Sequence, residues 1–423
     1  MNFRNLLLCS ITAAGVMSGA AFAADLGVLS SLDVCDQLGV SGLTISSDTN
    51  CLKVSGEVSY NFAYGLWDTA EDGDTSTFQV PAGHLQWGYD WSNGVAEILN
   101  SEVEAKLNFE ATADSSFGPA RGTITLVADY IGNNDADVVI DEAYISIGEG
   151  TILMAGHKGS IYNTGDDAPL NWLGLFNAQA VDTGVKVTTA TSTSNSIQLT
   201  HDLGNGFSLA AGFENLEGNG LAVGVLAYRG DTVSGHASID VWDVLHDGGS
   251  LGRWDMHAGL TATVDALKVV AAFASDSENQ WNALGSAEVT FDMFTIAGSV
   301  EADDSDYTGA GASLTADVSD GVKLNIGSRW ADYNSETSYE VAVGAEAALA
   351  EDLTLSGAVG YVSDGDFTDT LLSYVWARLA WGPGGGFSAS IKGTVTLISE
   401  EEVNVSDSSN AYKIEAEFKK TFQ

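Results

Sequence analysis

Apolar and polar residues alternate along most of the chain. Over residues 103–111, Val103, Ala105, Leu107, Phe109 and Ala111 share one face, and Glu104, Lys106, Asn108 and Glu110 share the other. Residues 53–64 repeat the pattern, setting Val54, Val58, Tyr60, Phe62 and Tyr64 against Lys53, Ser55, Glu57, Ser59 and Asn61. The last stretch does the same, with Tyr412, Ile414, Ala416, Phe418 and Phe422 against Lys413, Glu415, Glu417, Lys419 and Thr421. A period of two is the signature of a strand with one apolar and one polar face. A soluble sandwich alternates in the same way, so the period alone leaves open which face is the core.

Three features favour an all-β transmembrane antiparallel barrel. The alternating segments run for about ten to twelve residues. Ordinary strands average ~5–6, whereas tilted membrane strands need ~9–11. Aromatic residues gather near strand ends on the apolar face (Tyr60, Tyr64, Tyr130, Trp381, Phe422), as interfacial girdles require. The apolar face is also rich in Ala and Gly, which would fill a packed interior poorly but suits contact with lipid.

Connections alternate between tight and long, the pattern of outer-membrane barrels. Tight turns are expected at 148–150, 204–206, 230–231, 264–265, Asp292, 319–321, 351–352 and 382–386, with a longer one at 114–119. Acidic, Asn/Ser/Gly-rich loops separate them, as at 68–74, 133–137, 302–306 and 363–366. Nine hairpins plus a first and a last strand predict 20 strands, with both termini on one side.

Charge narrows the partners. The 423 residues carry 16 Lys+Arg against 58 Asp+Glu, a formal net charge of −42. Nucleic acid is excluded, because neutralising phosphates needs basic side chains. Disorder is excluded as well, since 10 Trp, 13 Tyr and 16 Phe are spread along the whole length.

Residues 1–23 read as a secretory leader, with Arg4 before an apolar stretch at 6–16 and Ala21-Phe22-Ala23 as the cleavage site. The apolar stretch is too short to span a bilayer. A lipoprotein anchor at Cys9 is the weaker alternative, because Cys9 comes early and follows Leu7 and Leu8. After cleavage two cysteines remain, Cys35 and Cys51. In an oxidising compartment they are most simply one disulfide. A metal pair is the weaker reading, with no His or further Cys nearby. The expected organisation is a leader (1–23), an N-terminal segment (24–51) and a barrel (52–423).

The run Val34-Cys35-Asp36-Gln37-Leu38-Gly39 followed by Thr49-Asn50-Cys51-Leu52-Lys53-Val54-Ser55-Gly56 resembles the opening of the alphaproteobacterial porins, the Brucella and Rhizobiales outer-membrane family. DEAYISIGEGTILMAGHK at 141–158 looks like that family's fourth and fifth strands, and HDLGNGFSLA at 201–210 is similar to its F-G-N-G-F-S turn. The resemblance implies a homotrimeric barrel in the outer membrane, in contact with its lipid and lipopolysaccharide. It implies passage of small hydrophilic solutes and a third loop folded into the lumen. Three features depart from it. The family has 16 strands where the hairpins here give 20. Its Arg after the strand-five glycine is His157 here, and the terminal aromatic, Phe422, is followed by Gln423.

A passive pore needs no catalytic residues, only a constriction with a size and a field. Residues 159–182 are the candidate inward loop by position. Asp166 and Asp167 are expected to present negative charge, and Trp172, Leu173, Leu175 and Phe176 to wedge the loop against the wall or the trimer axis. Lys53, Lys106 and Lys158 are the inward-pointing candidates for the facing wall. The bland alternative pairs each with a lumen acid, as Lys106 with Glu104 or Glu110. Lumen acids such as Glu57, Glu104 and Glu110 outnumber these lysines, which predicts cation preference.

No cofactor is expected; carboxylate-rich loops suit Ca²⁺ or Mg²⁺, but no EF-hand spacing appears. An enzyme is not expected, because His84, His157, His201, His236, His246 and His257 sit in no Ser/His/Asp motif. The alternative function is a structural or adhesive outer-membrane barrel without an open pore.

Overall fold

The computed structural model describes residues 32–68, 95–128, 137–162, 168–176, 193–245, 253–304, 306–333, 336–364, 370–399 and 411–423. The expected leader at 1–23 and the girdle residue Tyr130 lie outside the described residues. A short helix, α1 (Leu32–Gln37), and a three-residue strand, β1 (Thr44–Ser46), precede the long strands. These begin with β2 (Asn50–Asp68), β3 (Val95–Ala113), β4 (Ala120–Ala128), β5 (Val138–Glu149), β6 (Thr151–Lys158) and β7 (Ser194–Gly204). Then follow β8 (Phe207–Glu214), β9 (Leu221–Arg229), β10 (Val233–Trp242), β11 (Trp254–Val264), β12 (Leu267–Asp276), β13 (Trp281–Phe291) and β14 (Phe294–Asp303). The last seven are β15 (Tyr307–Ser319), β16 (Val322–Tyr333), β17 (Glu336–Ala350), β18 (Leu353–Asp364), β19 (Thr370–Gly384), β20 (Phe387–Ser399) and β21 (Ala411–Phe422).

Each long strand pairs antiparallel with the next, and β2 pairs with β21 from Gly56↔Phe422 to Leu66↔Tyr412. The result is a closed antiparallel barrel of 20 strands. The hairpin reading therefore holds, and the sixteen strands implied by the family resemblance do not. The extra hairpins are full wall strands rather than excursions of the loops. All eight tight connections, and the longer one at 114–119, fall where the turn residues stand. Their backbone explains why: Asn205, Asp265 and Asp292 have φ of 54°, 52° and 53°, a left-handed conformation that Asn and Asp tolerate and two-residue hairpins require.

The two faces are inverted relative to a soluble protein. Outward positions are apolar and exposed, as with Val343 (50%) and Val359 (55%), while inward Glu214 (1%) and Asp240 (0%) are buried. Water cannot satisfy backbone groups in hydrocarbon, so only a closed ring of strands is viable there. Aromatic pairs mark both rims of the apolar band. Phe207–Tyr228 (4.6 Å), Phe291–Phe294 (5.8 Å) and Trp381–Phe387 (5.7 Å) lie at the turn end. Tyr64–Tyr412 (6.5 Å) and Tyr339–Tyr361 (6.0 Å) lie at the loop end. Such belts suit rings that are apolar in body and polar at the tip.

The N-terminal segment is tied to the seam. Cys35 of α1 is bonded to Cys51 of β2 (S–S 2.06 Å), and β1 pairs with residues 51–53. Cys51 thus belongs to the first wall strand, which starts at Asn50, two residues before the expected boundary. Beside it, Gly42 (φ 114°) passes so close to the chain end that a Cβ would stand 2.9 Å from the Gln423 carbonyl carbon. The residue after the terminal aromatic is therefore packed against the segment that leads into the barrel.

Face inversion makes a direct prediction. Ile391→Lys, on the lipid face midway along β20, should cost about 2–4 kcal/mol. Ser390→Lys, on the inner face opposite Glu417, should change stability by about 0.5 kcal/mol or less. Urea unfolding of both variants in lipid bilayers checks this; equal costs would contradict the assignment of faces.

Candidate functional site

Two stretches of the inner wall differ in chemistry. On β12, Val270, Ala272 and Ala274 face inward as well as apolar residues facing out, and Ala342, Ala358 and Val362 do the same on β17 and β18. An apolar inner surface in a watery lumen needs a cover. Residues 168–176, part of the connection between β6 and β7, supply it. Leu173 is fully buried against Ala342, Ala358, Val362, Tyr374 and Trp376. Leu175 fills a second cluster with Val270, Ala272, Ala274 and Leu284, and Phe176 packs on Tyr307 and Ala331. The expected wedge of Trp172, Leu173, Leu175 and Phe176 against the wall is what the structure contains.

Polar bonds fix the segment in register. The Leu170 and Trp172 amides donate to Ser286 Oγ and Ser313 Oγ, both at 2.8 Å. Ser299 Oγ donates to Asn171 Oδ1, whose own amide group donates to Gly174 O at 2.7 Å. Arg329 on β16 is fully buried and acts as the central pin. Its Nε donates to Glu340 Oε2 (2.6 Å), its Nη1 to Leu175 O (3.1 Å), and its guanidinium lies 4.2 Å from the Phe176 ring centre. Tyr374 Oη donates to the other Glu340 oxygen at 2.6 Å. The start of the same connection is anchored separately. Gln198 Nε2 donates to Gly159 O (3.0 Å), the Ile161 amide donates to Glu214 Oε1 (2.9 Å), and Tyr162 covers Leu221, Val223 and Val225. The expected constriction acids Asp166 and Asp167 lie outside the described residues.

A second stretch of the wall, from β20 and β21 to β2–β6, is charged. Lys53, Glu57, Glu104, Lys106, Glu110 and Lys158 occupy inner-face positions, with Lys53↔Glu110 and Glu57↔Lys106 directly opposite across β2 and β3. Lys106 does not bond Glu104 or Glu110; it reaches two strands over to Asp141 (3.3 Å). Glu110 instead faces Arg121 (3.9 Å), and Glu104 accepts from Ser59 Oγ (3.4 Å). Lys158 approaches Glu142 (3.9 Å) and stands 4.1 Å from the Tyr144 ring centre. Glu57 is held by Lys419 (2.7 Å), and Lys413 pairs with Glu415 (2.6 Å). Pairs this exposed contribute little stability. Their field, however, acts on whatever passes.

Sequence reasoning missed Arg329 with its Glu340–Tyr374 partners and the inward cations Arg121, Arg378 and Lys392; Lys413 and Lys419 stood on the polar face but were not weighed against the lumen acids. The cations were readable by parity. The signal for the seat was subtler: strands such as LKVVAAFASD are apolar on both faces, which a water-lined wall does not allow without a lid. Among the described residues, no group of three or more His, Cys, Asp or Glu is placed to hold a metal ion.

The family model described as the porin subfamily matches residues 30–420. Among solved structures, the chain is similar to the outer-membrane channel DcaP of Acinetobacter baumannii, with 14% identity over 90% of this chain and 100% of that one and a TM-score of 0.39. OccAB4 of the same organism gives 10% identity, 87% and 98% coverage and a TM-score of 0.44. A loop-deletion mutant of OmpT, an outer-membrane protein of Vibrio cholerae, gives 10%, 88%, 100% and 0.39. No curated protein sequence matches the chain.

The pin carries its own prediction. Arg329→Met leaves Glu340 buried without its cation and should cost about 3–5 kcal/mol, whereas Arg329→Met with Glu340→Met should regain most of that loss. Denaturant unfolding in detergent measures both. A single variant as stable as the parent would contradict the role given to Arg329.

Proposed function

The chain belongs to the porin subfamily, and on that premise we propose that this outer-membrane porin passes small hydrophilic solutes and ions by general diffusion, prefers cations, and assembles as a homotrimer. The observation that carries the reading is the asymmetry of the lumen: a docked segment against one stretch of the wall, and rows of ionised side chains along another. Such a passage does no covalent chemistry. It strips no solute of all its water, and it sorts by size and by the potential along the charged wall. Both family and fold are those of a channel rather than an enzyme.

The cation preference rests on charge balance. On the inner faces Glu57, Glu104, Glu110, Glu288 and Glu417 stand among cations such as Lys53, Lys106, Arg378 and Lys392, so the preference rests on the acid excess of the chain as a whole, a net charge of −42. Low-dielectric walls focus the resulting potential into the lumen. Ordered Ca²⁺ or Mg²⁺ is not part of the proposal, though lipopolysaccharide phosphates and the acidic loops both attract such ions diffusely.

Reversal potentials in a KCl gradient across planar bilayers test the proposal. The expected result is a cation permeability above that of chloride, reduced in the triple variant Glu57→Gln, Glu104→Gln, Glu110→Gln. Preference should fade near 1 M salt, where the screening length falls to about 3 Å. Anion preference would overturn the selectivity. Absence of any conductance would favour the structural or adhesive barrel. Chemical cross-linking to a three-chain product, against a product of another size, tests the trimer.

A further inference from the structure

We propose that Gly311, Gly327 and Gly344 form a track on the inner wall that sets how far the 168–176 segment stands into the lumen, and so sets the pore's size limit. The inference rests on the porin reading above and deepens it.

The three glycines lie on adjacent strands, β15, β16 and β17, all on inner-face positions. None has a positive φ, so the backbone does not require glycine there. Glycine in a strand interior is otherwise unfavourable, because it adds chain entropy and packs nothing. Close approach by another backbone or ring is the remaining reason for it. The segment makes that approach at all three. A Cβ on Gly344 would stand 2.6 Å from Trp172 Cζ2, and one on Gly327 would stand 2.9 Å from Leu173 Cγ and 3.1 Å from Trp172 Cε3. At Gly311 it would stand 2.5 Å from Asn171 Nδ2 and 2.9 Å from Gly174 O.

The track is continuous with the pin. Gly311 is opposite Arg329, which is opposite Glu340, and Gly327 lies between Ser313 and Ala342. Ser313 takes the Trp172 amide, so the indole is held flat across the two bare positions. Gly360 on β18 does a similar service for Tyr374, whose ring lies over it while its hydroxyl reaches Glu340. Carbon atoms in ordinary contact sit about 3.5–4.0 Å apart. A methyl group at Gly344 therefore lifts the indole by roughly 1 Å, and valine lifts it further, toward the charged wall opposite.

Single-channel conductance and the largest sugar admitted in liposome swelling test this. Gly344→Val is expected to lower both. Gly344→Val with Trp172→Ala, in which the indole no longer occupies the space, is expected to restore both toward the parent. Gly393→Val has open space at its Cβ and is expected to change neither. The heat-modifiable mobility of each variant reports whether the barrel has closed. If Gly344→Val does not close, Gly344→Ala with and without Trp172→Ala gives the same comparison. Unchanged conductance in a closed Gly344→Val barrel, or no recovery on removing the indole, would overturn the track. A parent protein that does not conduct at all would instead overturn the porin reading.

Discussion

A backbone in hydrocarbon has no water to accept its N–H groups or to donate to its carbonyls, so each must find a partner within the chain. That requirement governs the rest of the structure. It demands a sheet without edges, met where β21 returns to β2. Closure turns one face of every strand toward lipid and the other toward the interior. The alternation of side chains then follows, with Val343 and Val359 outside and Glu214 and Asp240 inside. The N-terminal segment belongs to the same solution, since the Cys35–Cys51 bond and the contact at Gly42 hold it across the strand pair that completes the ring.

Closure alone would make a wide tube with a uniform lining. Here the interior is divided. Strands β12 to β18 carry small or apolar residues such as Val270, Ala272, Ala342 and Ala358 inward beside the buried Arg329–Glu340 pair, and the 168–176 segment lies on them as a second layer. Strands β20, β21 and β2 to β6 carry ionised residues inward. The segment stays in place by shape, by hydrogen bonds to Ser286, Ser299 and Ser313, and by Arg329, itself held in a buried ion pair. Bare glycines let it lie flat, and Arg329 ties its backbone to Glu340. A buried pair of this kind is costly to break and contributes little net stability when intact. It suits fixing a position better than strengthening a fold.

Much of this was legible in the residues. Asn205, Asp265 and Asp292 announce left-handed turn positions, and the period of two between them gives the strands and their faces. From those alone, twenty strands followed, against the sixteen that family resemblance implied. The apolar residues of the inner segment also stood out, because Trp172, Leu173, Leu175 and Phe176 interrupt an otherwise polar connection. Its landing place did not. Gly311, Gly327 and Gly344 look like weak strand residues until the 168–176 segment is seen above them. Arg329 looks like any lumen cation until its partner on the next strand and the Leu175 carbonyl are seen together. Such features depend on which distant residues meet across more than a hundred positions of sequence, and no local pattern encodes that.

The central claim is that alternate residues of one strand face lipid and water in turn. Single cysteines at Ile414, Glu415, Glu417 and Phe418 of β21, challenged in bilayers with a charged, membrane-impermeant thiol reagent, test it most directly. The account predicts rapid modification at Glu415 and Glu417, each with a step down in conductance, and no modification at Ile414 or Phe418. Labelling at all four positions, or at the apolar pair alone, would contradict it.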